Sequence, residues 1–335
     1  MKKSNQKYIR VILVCTILFV SINYLGKIVT PKDTVEFETW NDFYKLENNS
    51  LDVIFIGSSN VFTGISPMKI YQETDIKSWD LASATQRSWI SFYYLQEALK
   101  TQTPKVVVVD MLGWIYNTPS ESEAHARRNL DYTKFSIDKI LAIKNTGSSC
   151  SEYLSFLFPI LRYHTMYEEW FTSDKTTEND STYFMSGQQI LKNSKTITFS
   201  NEDNLDVYKT YNKNIEYYDK IIELCNEKGI QCVFIKTPNT IWSKSISTSV
   251  ENYARDKGVP YINFNYKIDE IGINTSEDFL NEGHLNASGA EKLSGWLAEY
   301  LTEYYTELEV NTDADNAWWN QQIEEYEMLM YSEDK

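Results

Sequence analysis

Short apolar runs recur along the chain, and amphipathic segments with helical periodicity separate them. The apolar runs, each typical of a buried parallel strand, cover 52–57, 105–110, 231–236 and 261–265, with a weaker fifth run at 78–82. The helical segments cover 86–100, 204–228, 243–257 and 286–308. Alternation of strands and helices predicts an α/β fold in which helices cover both faces of a parallel sheet.

Three other stretches lack this alternation. Residues 30–50 are polar and predict a stalk, and residues 311–335 predict an acidic tail that is mobile apart from one amphipathic turn. The interval at about 113–205 has helix-like pieces and a polar loop but no comparable strand. We interpret it as an insertion after the third strand, within a main domain at 51–310.

The N-terminus has the charge pattern of a membrane anchor. A basic segment at 1–10 precedes an apolar run that begins at Val11, and we assign 11–29 to a single transmembrane anchor. A cleaved signal peptide is the alternative, because the apolar core is nearer fifteen residues than twenty. No A-x-A-like cleavage site follows it, which favours the anchor. Both interpretations place the main domain outside the cytoplasm.

Composition excludes several classes of protein. The formal charge of −15 repels phosphate backbones, and we find no local basic patch, so nucleic acid is not an expected partner. Four Cys without a C-x-x-C pair exclude a disulfide scaffold and a cysteine zinc site. With three His in the chain, a His-rich metal centre is also not expected, and we predict neither metal nor cofactor.

Two motifs together indicate nucleophilic catalysis. The first strand runs into Gly57-Ser58-Ser59-Asn60, which places the Ser59 hydroxyl at the carboxyl edge of the sheet, where open α/β folds bind ligands. His284 lies just before the last helix. A serine nucleophile needs a base to take its proton, and His284 is the candidate.

On these motifs the sequence resembles the SGNH/GDSL hydrolase superfamily. It is most similar to membrane-anchored extracytoplasmic proteins of Gram-positive bacteria, distant relatives of the D-alanyl-lipoteichoic-acid biosynthesis protein and the alginate O-acetyltransferases. The resemblance implies a flavodoxin-like three-layer fold, with Ser59 as nucleophile and His284 as base. It also implies oxyanion-hole N–H groups at Ser59 and at Ser83 or Ala84, which replace the usual Gly.

The chain departs from the family pattern at two positions. Asn281 stands where the family has the Asp that orients the histidine, and the oxyanion Asn of the third block has only Asn117 as a candidate. Asp278 and Glu282 are nearby acids that can substitute for the missing Asp. The site is therefore a triad with a displaced acid, a working dyad or a decayed enzyme.

Four further residues are candidates for substrate binding. Lys236 ends the fourth strand at the same edge as Ser59, although a lysine snorkelling from a strand end is an equal alternative. Asn60 belongs to the serine motif. Arg162 and His164 lie in the insertion, where a structural histidine is the simpler interpretation.

These observations predict a single-pass protein of the cell membrane with its catalytic domain outside. The expected activity is that of a serine esterase or O-acyltransferase on acyl esters of a cell-envelope glycan. A partner membrane acyltransferase is a further expectation. The alternative is a catalytically impaired protein of the same shape that binds glycan or that acyltransferase.

Overall fold

The computed structural model describes residues 2–116, 122–146, 149–164, 183–199, 207–306, 308 and 317–331. These residues form two compact units. The first unit takes its residues from 1–33 and 120–180, and the second from 34–119 and 181–335.

The described strands are, in chain order, β1 (Val53–Gly57), β2 (Ser78–Ala82), β3 (Val106–Asp110), β4 (Tyr183–Met185), β5 (Gln188–Ile190), β6 (Gln231–Lys236), β7 (Tyr261–Asn263), β8 (Phe279–Asn281) and β9 (His284–Leu285). The described α-helices are α1 (Lys2–Val29), α2 (Val35–Phe43), α3 (Ser59–Gly64), α4 (Pro67–Thr74), α5 (Ser88–Ala98), α6 (Glu123–Leu130), α7 (Ile137–Asn145), α8 (Cys150–Leu157), α9 (Ile160–Tyr163), α10 (Asn212–Lys228), α11 (Lys244–Lys257), α12 (Ile268–Ile271), α13 (Ala287–Tyr304) and α14 (Ala317–Tyr331). Two short 3₁₀ helices follow strands, at Met111–Ile115 and Phe264–Tyr266.

The second unit is built on a five-stranded parallel sheet in the order β2-β1-β3-β6-β7. The three strands β1, β2 and β3 are buried along their whole length, as expected for a sheet covered on both faces. The predicted α/β fold with a parallel sheet is therefore confirmed. In this order the chain reverses direction across the sheet between β1 and β3, so the ligand-binding crevice of such folds lies at their carboxyl ends.

The predicted stalk is wrong. Within 30–50 the chain forms α2, whose N-terminus is capped by the Thr34 hydroxyl accepting from the Phe37 N–H at 3.2 Å. Trp40 and Phe43 are buried, and the Trp40 ring packs edge-on against Tyr94. The segment looked polar because one helix face is solvated, whereas its apolar residues cover the sheet.

The predicted mobile tail is also corrected, because α14 packs against α4. Trp319 and Tyr326 are buried, and the Trp319 ring lies 5.2 Å from the ring of Tyr71. The Ser66 hydroxyl donates to the Tyr326 hydroxyl at 3.0 Å. Acidic residues occupy the exposed face of this helix, which is why composition alone suggested a tail.

The predicted insertion does leave the sheet after β3, but its residues are divided between the two units. Its described helices, α6 to α9, belong to the first unit together with α1. Its last part returns to the second unit and forms the antiparallel hairpin β4–β5, which the sequence did not predict. The Ser186 carbonyl in the hairpin turn accepts from the Asp80 N–H at 3.0 Å, so the hairpin borders β2.

The N-terminal helix α1 holds a 24-residue segment, Gln6–Val29, that is long and apolar enough to cross a membrane; an 18-residue stretch within it has a mean hydropathy of 2.0. Within the first unit α1 packs against the part of the insertion that holds α7 to α9. Its Phe19 ring lies 5.4 Å from Phe135 and 6.1 Å from Phe158, edge-on in both cases.

Candidate active site

Ser59 stands on a sharp turn between β1 and α3. Gly57 ends the strand, Ser58 has extended backbone as the N-cap, and Ser59 is the first residue of the helix. A side chain at position 57 would clash, since its Cβ would lie 2.5 Å from Val61 Cγ2 and 2.8 Å from Asp110 Cβ. Only glycine therefore lets the helix follow the strand this closely, which brings the Ser59 hydroxyl to the crevice.

His284 reaches Ser59 from the opposite end of the chain. It begins β9, immediately before α13, whose N-cap is the Asn286 side chain. His284 Nε2 lies 2.7 Å from Ser59 Oγ, and His284 Nδ1 lies 2.9 Å from Asn281 Oδ1. Both Ser59 and His284 are half-buried, so a substrate can approach them from solvent.

The Asn281 amide fixes the tautomer of the histidine. Its Oδ1 also lies 2.9 Å from the Gly283 N–H, which can only donate, so the amide atom facing both groups is its oxygen. His284 Nδ1 must then carry the proton, and Nε2 presents a lone pair to the Ser59 hydroxyl. Asn281 thus orients His284 as a base, but it brings no negative charge.

The surroundings of His284 favour its neutral form. Burial lowers the pKa of His284, and the positive charge of Lys236 lowers it further. Burial also lowers the pKa of Lys236 to about 8, against the opposing effect of Asp110. At neutral pH the ring is therefore uncharged and can accept a proton from Ser59. The imidazolium that then forms is destabilised by the positive charge of Lys236.

Lys236 itself does not fit the predicted role in substrate binding. Its side chain is fully buried. The ammonium donates to the Thr237 carbonyl at 2.5 Å and lies 5.3 Å from the centre of the Trp242 ring. The lysine ends its strand at the predicted edge but points into the protein, so it acts on the site through its charge.

Asp278 does not supply the missing acid. Its carboxylate is buried and accepts from the Asn274 N–H at 2.6 Å, the Ser288 hydroxyl at 2.7 Å and the Lys292 ammonium at 2.6 Å. Asn281 holds the position beside the ring. The Asp278 carboxylate instead ties the loop before β8 to α13, so its predicted catalytic role is not supported.

Glu282 does not compensate either. Its carboxylate is exposed and pairs with Lys195 at 2.7 Å, which lowers its pKa. Its backbone carbonyl accepts from the Thr240 N–H at 2.9 Å. The residue next to Asn281 in sequence thus faces solvent.

The predicted oxyanion hole is only partly available. The Ala84 N–H donates to the buried Glu36 carboxylate at 3.0 Å, and the Ser83 N–H lies 3.4 Å from the Gly57 carbonyl. These two donors are used within the fold. Ser59 is the first residue of α3, where N–H groups have no intrahelical acceptor. Asn117, the other candidate donor, lies outside the described residues.

The other predicted binding residues are not brought to Ser59 by any described contact. Asn60 is next to Ser59 in α3, but its side chain is buried. In the first unit, Arg162 pairs with Glu123 at 3.1 Å, and the exposed His164 ring contacts the Ile160 carbonyl at 3.2 Å.

Sequence reasoning missed Asp110, which braces the turn beneath Ser59. Its Oδ2 accepts from both the N–H and the hydroxyl of Thr237 at 3.0 Å, and its Oδ1 accepts from the Leu112 N–H at 2.9 Å. This ties the ends of β3 and β6 together. The available signal was an aspartate directly after four valines, at the edge where the serine was already placed.

No protein-family model matches the chain, and no curated protein matches it. Among solved structures it is similar to a Bacteroides fragilis protein assigned as an acylhydrolase, with 10% identity over 82% of this chain and 99% of that one, at a TM-score of 0.39. A GDSL-like lipase from Bacteroides thetaiotaomicron gives 10% identity, 80% and 97% coverage, and a TM-score of 0.37. Esterase EstA from Pseudoalteromonas gives 10% identity over 76% of this chain and 99% of that one, at a TM-score of 0.37. At these TM-scores the backbones match only in part, so we infer the function from the geometry of the site itself.

Proposed function

We propose that this protein is an SGNH-type serine esterase or O-acyltransferase. The observation that carries the proposal is the chain of contacts from Ser59 Oγ to His284 Nε2 at 2.7 Å and from His284 Nδ1 to Asn281 Oδ1 at 2.9 Å. It lies at the carboxyl edge of β1, at the crevice where open α/β folds bind ligands. Nucleophile, base and orienting group within hydrogen-bond reach are the requirement for acyl transfer.

In the proposed reaction Ser59 Oγ attacks the carbonyl carbon of an acyl ester while His284 Nε2 takes the hydroxyl proton. The carbonyl oxygen becomes an oxyanion, and we assign its stabilisation to the Ser59 N–H at the N-terminus of α3. When this intermediate collapses, the C–O bond to the alcohol breaks and Nε2 returns the proton to the leaving oxygen. An acyl-Ser59 ester remains. A second hydroxyl attacks its carbonyl carbon while His284 Nε2 takes the proton; the bond from the acyl carbon to Ser59 Oγ then breaks, and Nε2 returns the proton to Oγ.

The second hydroxyl decides between the two activities. Water gives an esterase, whereas a sugar hydroxyl gives an O-acyltransferase. We assign the substrate to an acylated glycan of the cell envelope, outside the cytoplasm, because α1 is long and apolar enough to hold the second unit at a membrane and the residues at its N-terminal end are basic. Incubating the protein with an acetylated polysaccharide and a deacetylated acceptor, and measuring free acetate against acetylated acceptor, separates the two outcomes.

A fluorophosphonate probe tests the nucleophile directly, since only an activated serine reacts with it. We expect the full chain to be labelled at Ser59, and Ser59→Ala and His284→Ala to lose labelling. Ser58→Ala is the matched control, because the Ser58 hydroxyl makes no capping hydrogen bond and lies one residue away. Labelling of folded Ser59→Ala at the wild-type rate would refute the assignment.

A binding protein of the same shape is the second candidate. Two observations favour it: Asn281 brings no charge to the histidine, and the Ala84 N–H is occupied by Glu36. Such a protein would hold an acylated glycan or a partner acyltransferase without turning over. Binding of an acetylated oligosaccharide that is unaffected by Ser59→Ala, with no probe labelling of the wild type, would select this function.

A further inference from the structure

The helices of the insertion in the first unit expose several large apolar side chains, although they also bury an apolar core. Large apolar side chains face outward: Ile137 is 75% exposed and Leu161 is 53% exposed. The other exposed apolar side chains of this cluster are Phe135, Leu141 and Leu154. Soluble proteins rarely collect such residues on one small unit unless the surface binds something apolar.

Three charged groups of this segment, Arg127, Asp131 and Lys139, turn inward and are satisfied there, whereas Lys144 and Arg162 are exposed. Arg127 is only 5% exposed, and it pairs with Glu123 at 2.9 Å and with the buried Asp131 at 3.3 Å. Asp131 also accepts from the Tyr163 hydroxyl at 2.7 Å, and the buried Lys139 ammonium donates to the Thr133 carbonyl at 3.0 Å. Charges that are paired in the interior beneath an apolar surface are what a lipid environment requires.

Contacts with α1 fix the level at which these helices lie. Phe19, which contacts Phe135 and Phe158, is ten residues before the end of α1 at Val29. At 1.5 Å per residue this is about 15 Å along the helix, against a hydrocarbon core about 30 Å thick. Nearer that end, a Cβ on Gly26 would meet Pro159 and Ile160 at 3.5 to 3.8 Å. Side chains that touch α1 along this stretch enter the apolar layer if α1 does.

The charge balance of this segment suits a membrane surface as well. Residues 122–164 carry six Lys and Arg against four Asp and Glu, a net +2 in a chain whose net charge is −15. Basic residues beside an inserted surface are attracted to anionic headgroups. The segment therefore lacks the negative charge by which the rest of this acidic protein would be repelled from anionic lipid.

We propose that α7 to α9, with Phe135, form a membrane-embedded foot: an amphipathic cluster that packs on α1 and inserts Ile137, Leu141, Leu154 and Leu161 among the lipid acyl chains of one leaflet. The occupant of this apolar surface is lipid, because the surface continues that of the apolar helix α1. With the foot, the first unit is anchored in the bilayer by α7 to α9 in addition to α1. The inference is independent of the ester chemistry, but it requires that α1 enter the bilayer.

The test uses the full chain in phosphatidylcholine–phosphatidylglycerol vesicles that contain a phospholipid with a diazirine in its acyl chain. After irradiation, mass spectrometry maps the residues that lipid has labelled. We expect labels in α1 and within 135–161. Ile241 and Tyr266 are internal controls, because both are exposed in the second unit and should stay unlabelled.

Variants sharpen the result. The pair Ile137→Asp and Leu161→Asp should lower labelling of 135–161 several-fold while α1 stays labelled, and Ile241→Asp should change neither. If lipid labels α1 but not residues 135–161 in the wild type, the proposal is overturned. The apolar surface would then be covered by water or by a second copy of the chain. An unlabelled α1 would overturn the proposal too. Fluorophosphonate labelling of Ser59 on the same vesicles reports separately on the proposed function.

Discussion

At the scale of single residues, Asn281 decides how well His284 can act as a base. The Gly283 N–H turns the amide oxygen toward the ring, so the tautomer is already correct. In serine proteases, replacing the aspartate of the triad by asparagine lowers turnover by about 10⁴, because the histidine is then held in the wrong tautomer. Here only the charge is missing, so the penalty should be much smaller.

We therefore expect Asn281→Asp to raise kcat/KM for ester hydrolysis about tenfold, because a charge-assisted hydrogen bond is about twice as strong as a neutral one. Steady-state kinetics on a small acyl ester measures this. Glu282→Gln is the control: that carboxylate is exposed and paired with Lys195, so turnover should not change. A folded Asn281→Asp variant with unchanged turnover would show that charge at this position is irrelevant.

Lys236 gives a second prediction at this scale, concerning pH. Burial and, after it, the neighbouring Lys236 cation disfavour the imidazolium, so the pKa of His284 lies below its usual value and the acid limb of kcat/KM should lie at low pH too. Lys236→Met removes the charge, raises the pKa of His284 and should move the acid limb to higher pH.

The pH–rate profile of the wild type should also rise near pH 8, where Lys236 loses its proton and ceases to oppose the imidazolium. Lys195→Met is the control, because that lysine is exposed and paired with Glu282. An acid limb that stays in place in Lys236→Met, or moves to lower pH, would contradict the electrostatic role.

At the scale of secondary-structure elements, the turn from β1 to α3 sets the position of the nucleophile. Gly57→Ala should lower kcat about 100-fold, the scale expected when a reacting group is displaced by about 1 Å. Its Cβ would meet Val61 and Asp110 below 3 Å. Gly64→Ala is the matched control, because its nearest neighbouring atom is 3.6 Å away. Equal activity of the two variants would show that the turn tolerates a side chain.

The C-terminal helix α14 is the element whose packing most needs a test. Tyr326 is fully buried and its hydroxyl accepts from Ser66 and donates to Glu291. We expect Tyr326→Ala to lower the free energy of unfolding by about 3 to 5 kcal/mol. On the same helix Met328 is exposed, and Met328→Ala should change the free energy of unfolding by less than about 0.5 kcal/mol. Urea unfolding of the full chain in detergent compares them, and equal effects would mean that α14 does not pack as described.

At the scale of the whole molecule, the central question is whether α1 stays attached. The basic residues before Val11 and the length of α1 predict an uncleaved anchor with the N-terminus in the cytoplasm. The intact mass of the mature protein should include residues 1–29, and protease added to intact cells should digest the second unit. A mature N-terminus near Gly26 would replace the anchor with a cleaved signal peptide.

The sequence by itself predicted the α/β class and the parallel strands, because apolar runs and helical periodicity are local properties. It also placed Ser59 and His284 at the site, since Gly-x-Ser after a strand and a histidine just before a predicted helix, α13 in the structure, are local signals. They meet across 225 positions because β9, which belongs to a separate two-stranded sheet, packs against α3.

What only the tertiary structure decided concerns partners that are distant in sequence. Asn281 rather than Asp278 faces His284, because Lys292 and Ser288 on α13 hold the Asp278 carboxylate elsewhere. Lys236 turns inward, and the Ala84 N–H is taken by Glu36 from a segment that resembled a stalk. Spacing along a chain gives the face of a strand or helix, but which loop atoms meet depends on how separate elements pack. Hydrogen-bond partners in the site were therefore beyond the sequence, whereas the chemistry of the nucleophile and its base was not.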